Sequence, residues 1–391
     1  MALVIRVASA ALVFGLQVLL ARLMPPDGYG GFVTLWTWML AMGSFASLGF
    51  AESSVRFLPR YQMRGRATAI GQYWAFGLLV VSGAGLALAL VVVGLVIGLG
   101  AIDGPGLTVL VVAAGLPFLA VEYYLEGVAR SFGWFRLAAV PVYIVRPVLI
   151  GGVCLTLWAS GVRLTLPLVG AVLIGSMAVV AIGMMMLLAR RLRTITRAER
   201  ASTPKQKRLW LRASLPLLLL SGLDDLTNYA DVLVLSLLAE PDVVGVYFAA
   251  ARSLALAGFV AYAMTLVAGR RFALDLAGKT RADLQVSILE STRLTFWATS
   301  IAVGATLLVG PVLLAAFGPD YLAGQSVLWV LGAGMIARAL SGQAGEVLIV
   351  MGRQREGVLV GLGVLAITAA LAMVFVPAFG LVGAALASAA A

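Results

Sequence analysis

The chain has 391 residues, 62% of them hydrophobic and only 12% charged, about half the ~25% charged content usual for soluble domains. A soluble fold of this size cannot hide so much apolar surface. Soluble enzyme, nucleic-acid binder and disordered chain are therefore disfavoured together, and a polytopic membrane protein remains. There is no histidine and a single cysteine, Cys154, which removes imidazole catalysis, histidine or thiolate metal sites and an intrachain disulfide. The formal charge of +11 fits basic cytoplasmic loops in a membrane protein, with no nucleic-acid partner.

A helix needs about 20 apolar residues to cross a ~30 Å hydrocarbon layer. Reading the runs in chain order predicts about twelve spans, near 2–24, 32–55, 71–100, 106–129, 138–160, 165–189, 213–238, 244–269, 288–317, 326–350, 357–377 and 380–391. Pro117, Pro141, Pro147, Pro216 and Pro311 fall inside these runs and predict kinks. The fold expected is all-α: a polytopic membrane protein of about twelve helices.

Cations gather after the even-numbered spans: Arg56 to Arg66, Arg130 and Arg136, nine residues between Arg190 and Arg212, Arg270 to Arg281, and Arg353 with Arg355. The opposite loops carry only Arg22 and Arg163. This asymmetry places the basic side and the N-terminus in the cytoplasm. No cleavable signal peptide is expected, because Ala8-Ser9-Ala10 precedes most of the first apolar run. The stretch after Gly380 is too short to span, so a partial or truncated last helix is expected.

The basic stretch 190–212 divides the chain into an N-terminal six-helix lobe at 1–189 and a C-terminal six-helix lobe at 213–391. It reads as a cytoplasmic linker or, alternatively, as an amphipathic surface helix holding anionic lipid. The halves echo each other. Pro26-Asp27-Gly28-Tyr29-Gly30-Gly31-Phe32 comes after the first span and Pro241-Asp242-Val243-Val244-Gly245-Val246-Tyr247 after the seventh, a P-D-x-x-G-x-aromatic pattern offset by 215 residues. A weaker echo joins Gly133/Arg136 to Gly352/Arg355. An even number of spans per half makes a parallel repeat, with pseudo-symmetric lobes expected around a central cavity. The alternative is a chance match in biased sequence.

These motifs carry a resemblance. Leu20-Ala21-Arg22-Leu23 through Tyr29-Gly30-Gly31-Phe32 resembles the opening of the bacterial polysaccharide-repeat-unit (O-antigen type) flippases of the multidrug/oligosaccharidyl-lipid/polysaccharide exporter superfamily. Asp231-Val232-Leu233 through Gly245-Val246-Tyr247-Phe248-Ala249-Ala250-Ala251 is similar to their seventh-to-eighth helix junction. Phe317-Gly318-Pro319-Asp320-Tyr321, Gly352-Arg353-Gln354-Arg355 and Pro377-Ala378-Phe379-Gly380-Leu381 are similar to later junctions. The resemblance implies twelve or fourteen helices in two lobes and an undecaprenyl-pyrophosphate-type oligosaccharide carried from the cytoplasmic to the outer leaflet by alternating access. It also implies membrane lipid and other polysaccharide-assembly proteins as partners, and the cytoplasmic (inner) membrane as the location. No cofactor is implied beyond a coupling proton or sodium ion.

A charge at mid-bilayer costs about 2.5–3.5 kcal/mol on insertion scales. Arg146, Arg252 and Arg338 fall deep in three spans from both halves, and Asp224 and Asp225 in a fourth. Guanidinium forks bind phosphate oxygens bidentately, so the arginines are the candidate contacts for the lipid pyrophosphate. The alternative is that each pairs with a buried carboxylate as interhelical glue. Asp224, Asn228 and Asp231 are spaced i, i+4, i+7 on one face of the seventh span, with Asp225 beside them and Glu122 deep in the fourth. These are candidates for ion coupling, or else counter-ions for the arginines. Relatives that flip peptidoglycan precursor add a sodium site on the eleventh helix, where this chain offers only Thr368. Glu52, Glu126 and Glu346 fall near cytoplasmic ends, in reach of loop arginines.

Other signals are set aside. Gly278-Lys279-Thr280 mimics a phosphate-binding loop, but position 273 is Ala273 and an apolar helix precedes it. Gly332/Gly334, Gly361/Gly363 and Gly94/Gly98 lie inside apolar helices, where close helix packing is the expectation. Two rival functions stay in view. A cation-coupled drug antiporter on the same fold would prefer an acidic cavity. A membrane glycosyltransferase or polymerase would need a large outer loop or a metal-binding carboxylate motif.

Overall fold

The computed structural model describes residues 2–100, 105–195, 203–278, 281–342, 344, 347–348 and 353–391. The described residues are helical throughout, with no strand: α1 (Ala2–Leu23), α2 (Pro26–Ala46), α3 (Phe50–Met63), α4 (Ala67–Gly98), α5 (Pro105–Ser131), α6 (Phe135–Val140), α7 (Arg146–Ala159), α8 (Leu166–Arg193), α9 (Pro204–Leu238), α10 (Pro241–Gly278), α11 (Arg281–Phe317), α12 (Gln325–Leu340) and α13 (Gln354–Ala390). A π-helical turn, Pro141–Val145, joins α6 to α7, and a 3₁₀ turn, Pro319–Gly324, precedes α12. Among the described residues, eight helices are long and apolar enough to cross a membrane, nine if the bent pair α2–α3 is one span. They fall on the expected runs, and an all-helical polytopic membrane fold results. The tenth span is shorter than expected: α12 stops at Leu340, where the chain turns through Gly342 at φ 65°.

Helix starts obey local chemistry. Pro26 and Pro241 both sit at the first position of a helix, where the missing N–H costs nothing and the fixed φ suits the turn. The two copies of the P-D-x-x-G-x-aromatic pattern thus each open a helix, α2 and α10. At the other end Gly380 (φ 55°, ψ −127°) breaks α13, so the last residues form a separate helical segment.

The chain divides into two compact units, Met1–Leu226 and Thr227–Ala391, and α9 contributes to both. In the first unit α5 is central, flanked by α2, α3, α4 and α8. Its core is aromatic: Phe50, Tyr73, Tyr124 and Trp210 are fully buried together. The segment 204–214, which overlaps the stretch expected as linker, is helical and anchored there. Trp210 Nε1 donates to Tyr61 at 2.9 Å, and Ser214 Oγ donates to Ser53 at 2.7 Å. The bend of 43° between α2 and α3 passes through Leu48 and Gly49, both at positive φ. A side chain at Gly49 would collide with the Ser214 carbonyl and meet the Leu218 amide at 2.6 Å. Glycine is needed there both for its backbone conformation and for the close approach of α9.

In the second unit α10 packs on α11, α11 on α12, and α12 on α13. Gly332 and Gly334 take the close approach expected of them: a Cβ at Gly334 would sit 2.7 Å from that of Ala389. Gly94 and Gly98 do not, having no neighbour within 4 Å among the described residues. Their end of α4 presents exposed Leu95, Ile97 and Leu99 instead, a surface suited to lipid.

Candidate functional site

Arg146 opens α7 directly after the π turn, eleven residues from the start of α6, or about 17 Å along the span at 1.5 Å per residue. Pro141 and Pro147 bracket this turn, and each removes a backbone donor that a regular helix would use. The π turn inserts an extra residue locally and re-aims the next helix, a feature frequent at functional positions. Here it delivers a guanidinium into the interior of the first unit. Arg146 Nη1 donates to Glu122 Oε2 of α5 at 2.6 Å, with side-chain exposures of only 7% and 2%. The guanidinium also lies 5.2 Å from the Trp36 ring of α2, within cation–π range. Two of the sequence candidates, one cation and one acid, are therefore brought together as a buried ion pair. Glu122 Oε1 and Arg146 Nε remain buried without a hydrogen-bond partner among the described residues.

The other two arginines lie in the second unit. Arg252 is half-buried on α10, with its guanidinium 4.8 Å over the Phe248 ring one turn earlier. That distance is within cation–π range. Arg338 lies in the last turn of α12 and is exposed. It is near the end of its helix, since α12 ends ten residues before the expected span does.

The carboxylates on α9 separate. Asp231 accepts from the Tyr247 hydroxyl at 2.7 Å and from the Val232 amide at 2.8 Å. Tyr247, the aromatic closing the second P-D-x-x-G-x-aromatic motif, is fully buried. Tyr29 of the first motif donates likewise to Gln17 of α1 at 3.1 Å, so each motif ties its helix to the preceding one. Asn228 is exposed. The Asp224 side chain and Glu346 lie outside the described residues. Asp225 faces the first unit, beside Glu52 and Glu126, around a polar cavity. Glu126 does pair with a neighbouring arginine, its Oε1 lying 3.7 Å from Arg130 Nε. No cluster of three ligating side chains able to hold a metal occurs among the described residues.

Sequence reasoning missed Trp36, Tyr143 and the grouping of Glu52 with Glu126 and Asp225. One signal was available. Glu122, Glu126 and Arg130 are spaced i, i+4, i+8 and share a face of α5, which marks that face as polar.

A multi-pass helical membrane fold with a charged pair buried in its interior marks that interior as the candidate functional region. The chain belongs to the polysaccharide biosynthesis protein family, whose model matches residues 1–268. No curated protein matches it. Among solved structures, an inward-facing multidrug resistance MATE family transporter of the MOP superfamily is similar at 14% identity and TM-score 0.77, over 97% of this chain and 90% of that one. The lipid II flippase MurJ, in an inward closed conformation, is similar at 14% identity and TM-score 0.76, over 100% and 84%. An outward-facing MATE family transporter is similar at 15% identity and TM-score 0.64, over 98% and 88%. The chain shares their fold.

Proposed function

We propose that this protein is a flippase that moves polyprenyl-pyrophosphate-linked oligosaccharide repeat units across the cytoplasmic membrane for polysaccharide assembly. The observation that carries the reading is the family match through the whole first unit and into the second, on a chain with the fold of the MOP-superfamily transporters along its length. Transport of this kind makes and breaks no covalent bond. The loops rich in arginine face the cytoplasm, where lipid-linked repeat units are made, and the N-terminus lies on that side.

Arg252 and Arg338 are the proposed pyrophosphate contacts. A stacked or exposed guanidinium keeps its donor fork available. Arg146, whose remaining Nε is sealed in the interior of the first unit, is assigned instead to holding Glu122. Asp231, held by Tyr247, and Glu122, held by Arg146, are the proposed ion-coupling carboxylates, with a proton or sodium as the driving ion. The drug-antiporter reading predicts an acidic set without these arginines.

Gene deletion in the native host tests the function. Loss of surface polysaccharide with accumulation of lipid-linked repeat units is the expected result. Unchanged polysaccharide together with increased sensitivity to cationic drugs would favour the antiporter.

A further inference from the structure

The first unit contains a second polar site, apart from the Arg146–Glu122 pair. The cavity beside Asp225 has a volume of about 220 Å³, several times the ~30 Å³ share of one water. Its walls come from several helical segments. Glu52 begins α3 just past the α2–α3 bend, whose serines also line the space. Tyr123, Glu126 and Arg130 come from α5, Tyr143 from the π turn, and Asp225 from α9. The convergence has a backbone cause. A side chain at Gly127 of α5 would lie 2.6 Å from the Ala51 Cα, so only glycine lets α5 approach α3 closely enough to bring Glu126 beside Glu52. Similarly, Gly222 of α9 lies against the Phe45 ring, where a Cβ would be 2.9 Å away, and this approach carries Asp225 to the cavity.

The lining chemistry selects the ligand. Three carboxylates face one arginine, so an anion is disfavoured. Tyr143 hydrogen-bonds Glu126, and Arg130 pairs with it. Glu52, which lines the cavity, keeps one carboxylate oxygen, Oε2, without a hydrogen-bond partner among the described residues, and so holds unused acceptor capacity there. No metal-holding cluster occurs among the described residues. Carboxylates able to accept from adjacent hydroxyls, an arginine able to donate to ring oxygens, and two tyrosines in the lining form a set suited to a polyol ring. We propose that this cavity binds a neutral or amine-bearing sugar ring of the transported glycan and disfavours a uronic acid, so that the first unit reads the sugar. The inference rests on the flippase reading above and adds to it a determinant of which glycan is carried.

The test is equilibrium binding to the full-length protein in nanodiscs. The probes are undecaprenyl pyrophosphate alone and the same lipid bearing one glucose, one glucosamine or one glucuronic acid. The wild type is expected to bind the glucose and glucosamine lipids about tenfold more tightly than the bare lipid, as one or two charge-assisted hydrogen bonds supply, and to show no such gain for glucuronic acid. Glu52→Gln and Tyr143→Phe, both near-isosteric, should erase that gain and leave affinity for the bare lipid unchanged. If the gain is present and survives both substitutions, the sugar is read elsewhere and this inference is overturned while the flippase reading stands. Equal affinity for all four lipids overturns the inference too, and no binding to any of them overturns both. If the variants alter only the sodium or pH dependence of binding, the cavity is a cation site and the sugar assignment falls.

Discussion

Glu122→Gln keeps the shape of a side chain that is 2% exposed and removes its charge. The Arg146 guanidinium, 7% exposed, would then stay in the interior without its hydrogen-bonded counter-ion, leaving the more distant Glu126 to act on it. Removing one partner of such a pair costs about 3–5 kcal/mol, because the surviving charge is left uncompensated. Replacing both, Glu122→Leu with Arg146→Met, takes away two desolvated charges at once and should be neutral or stabilising by about 1–4 kcal/mol. With Glu122→Leu and Arg146→Met as the single variants, each leaving one buried charge uncompensated, the double-mutant cycle shows a coupling of several kcal/mol, far above the ~0.5 kcal/mol limit of additivity for separate sites. Thermal unfolding of the purified variants in one detergent measures it. A coupling near zero would refute the buried-pair reasoning. Polysaccharide export by the double variant then separates two roles for Arg146. Restored stability with lost export identifies a substrate or coupling contact, and restoration of both identifies interhelical glue.

Other substitutions probe the same geometry. Arg252→Lys keeps the charge but loses the stacked fork, and export should fall by about tenfold, the equivalent of ~1.4 kcal/mol; full export would remove Arg252 from the pyrophosphate site. Asp231→Asn should change the sodium or pH dependence of transport, whereas Tyr247→Phe should only weaken it, by about 1 kcal/mol of lost hydrogen bonding; identical ion profiles in wild type and Asp231→Asn would end its coupling role. Trp210→Ala should destabilise the first unit by about 3–5 kcal/mol and Trp210→Phe by about 1 kcal/mol, read as unfolding midpoints. Gly127→Ala should cost about 1–3 kcal/mol through overpacking against α3, and a neutral effect would mean that α5 and α3 are not so close.

Much of the fold was legible because the bilayer permits little else: long apolar runs must be helices, and charge asymmetry orders them. Pro26 and Pro241 announced helix starts, and both open helices. That Arg146 is buried was legible from its neighbours, since a charge amid a long apolar run needs a reason to be there. Its partner was not, because Glu122 lies twenty-four residues earlier in the chain and the π turn that aims the guanidinium leaves no signature beyond two prolines. The end of α12 was not legible, because nothing in the apolar run around Arg338 signals that the chain turns at Gly342. The grouping of Glu52, Glu126 and Asp225 depends on helix–helix distances set by Gly127 and Gly222, and a glycine in an apolar helix reads the same whether it is packed, as Gly127 is, or open, as Gly94 is.

Reconstitution into liposomes decides whether the protein flips lipid-linked glycan. Undecaprenyl pyrophosphate bearing a glycan is distributed over both leaflets, and the sugars accessible from outside are oxidised with membrane-impermeant periodate. With the protein present, nearly all of the glycan should become accessible over time, and Arg252→Ala should slow this exchange. Oxidation that stops at the outer-leaflet half, as in protein-free liposomes, would contradict the proposed function.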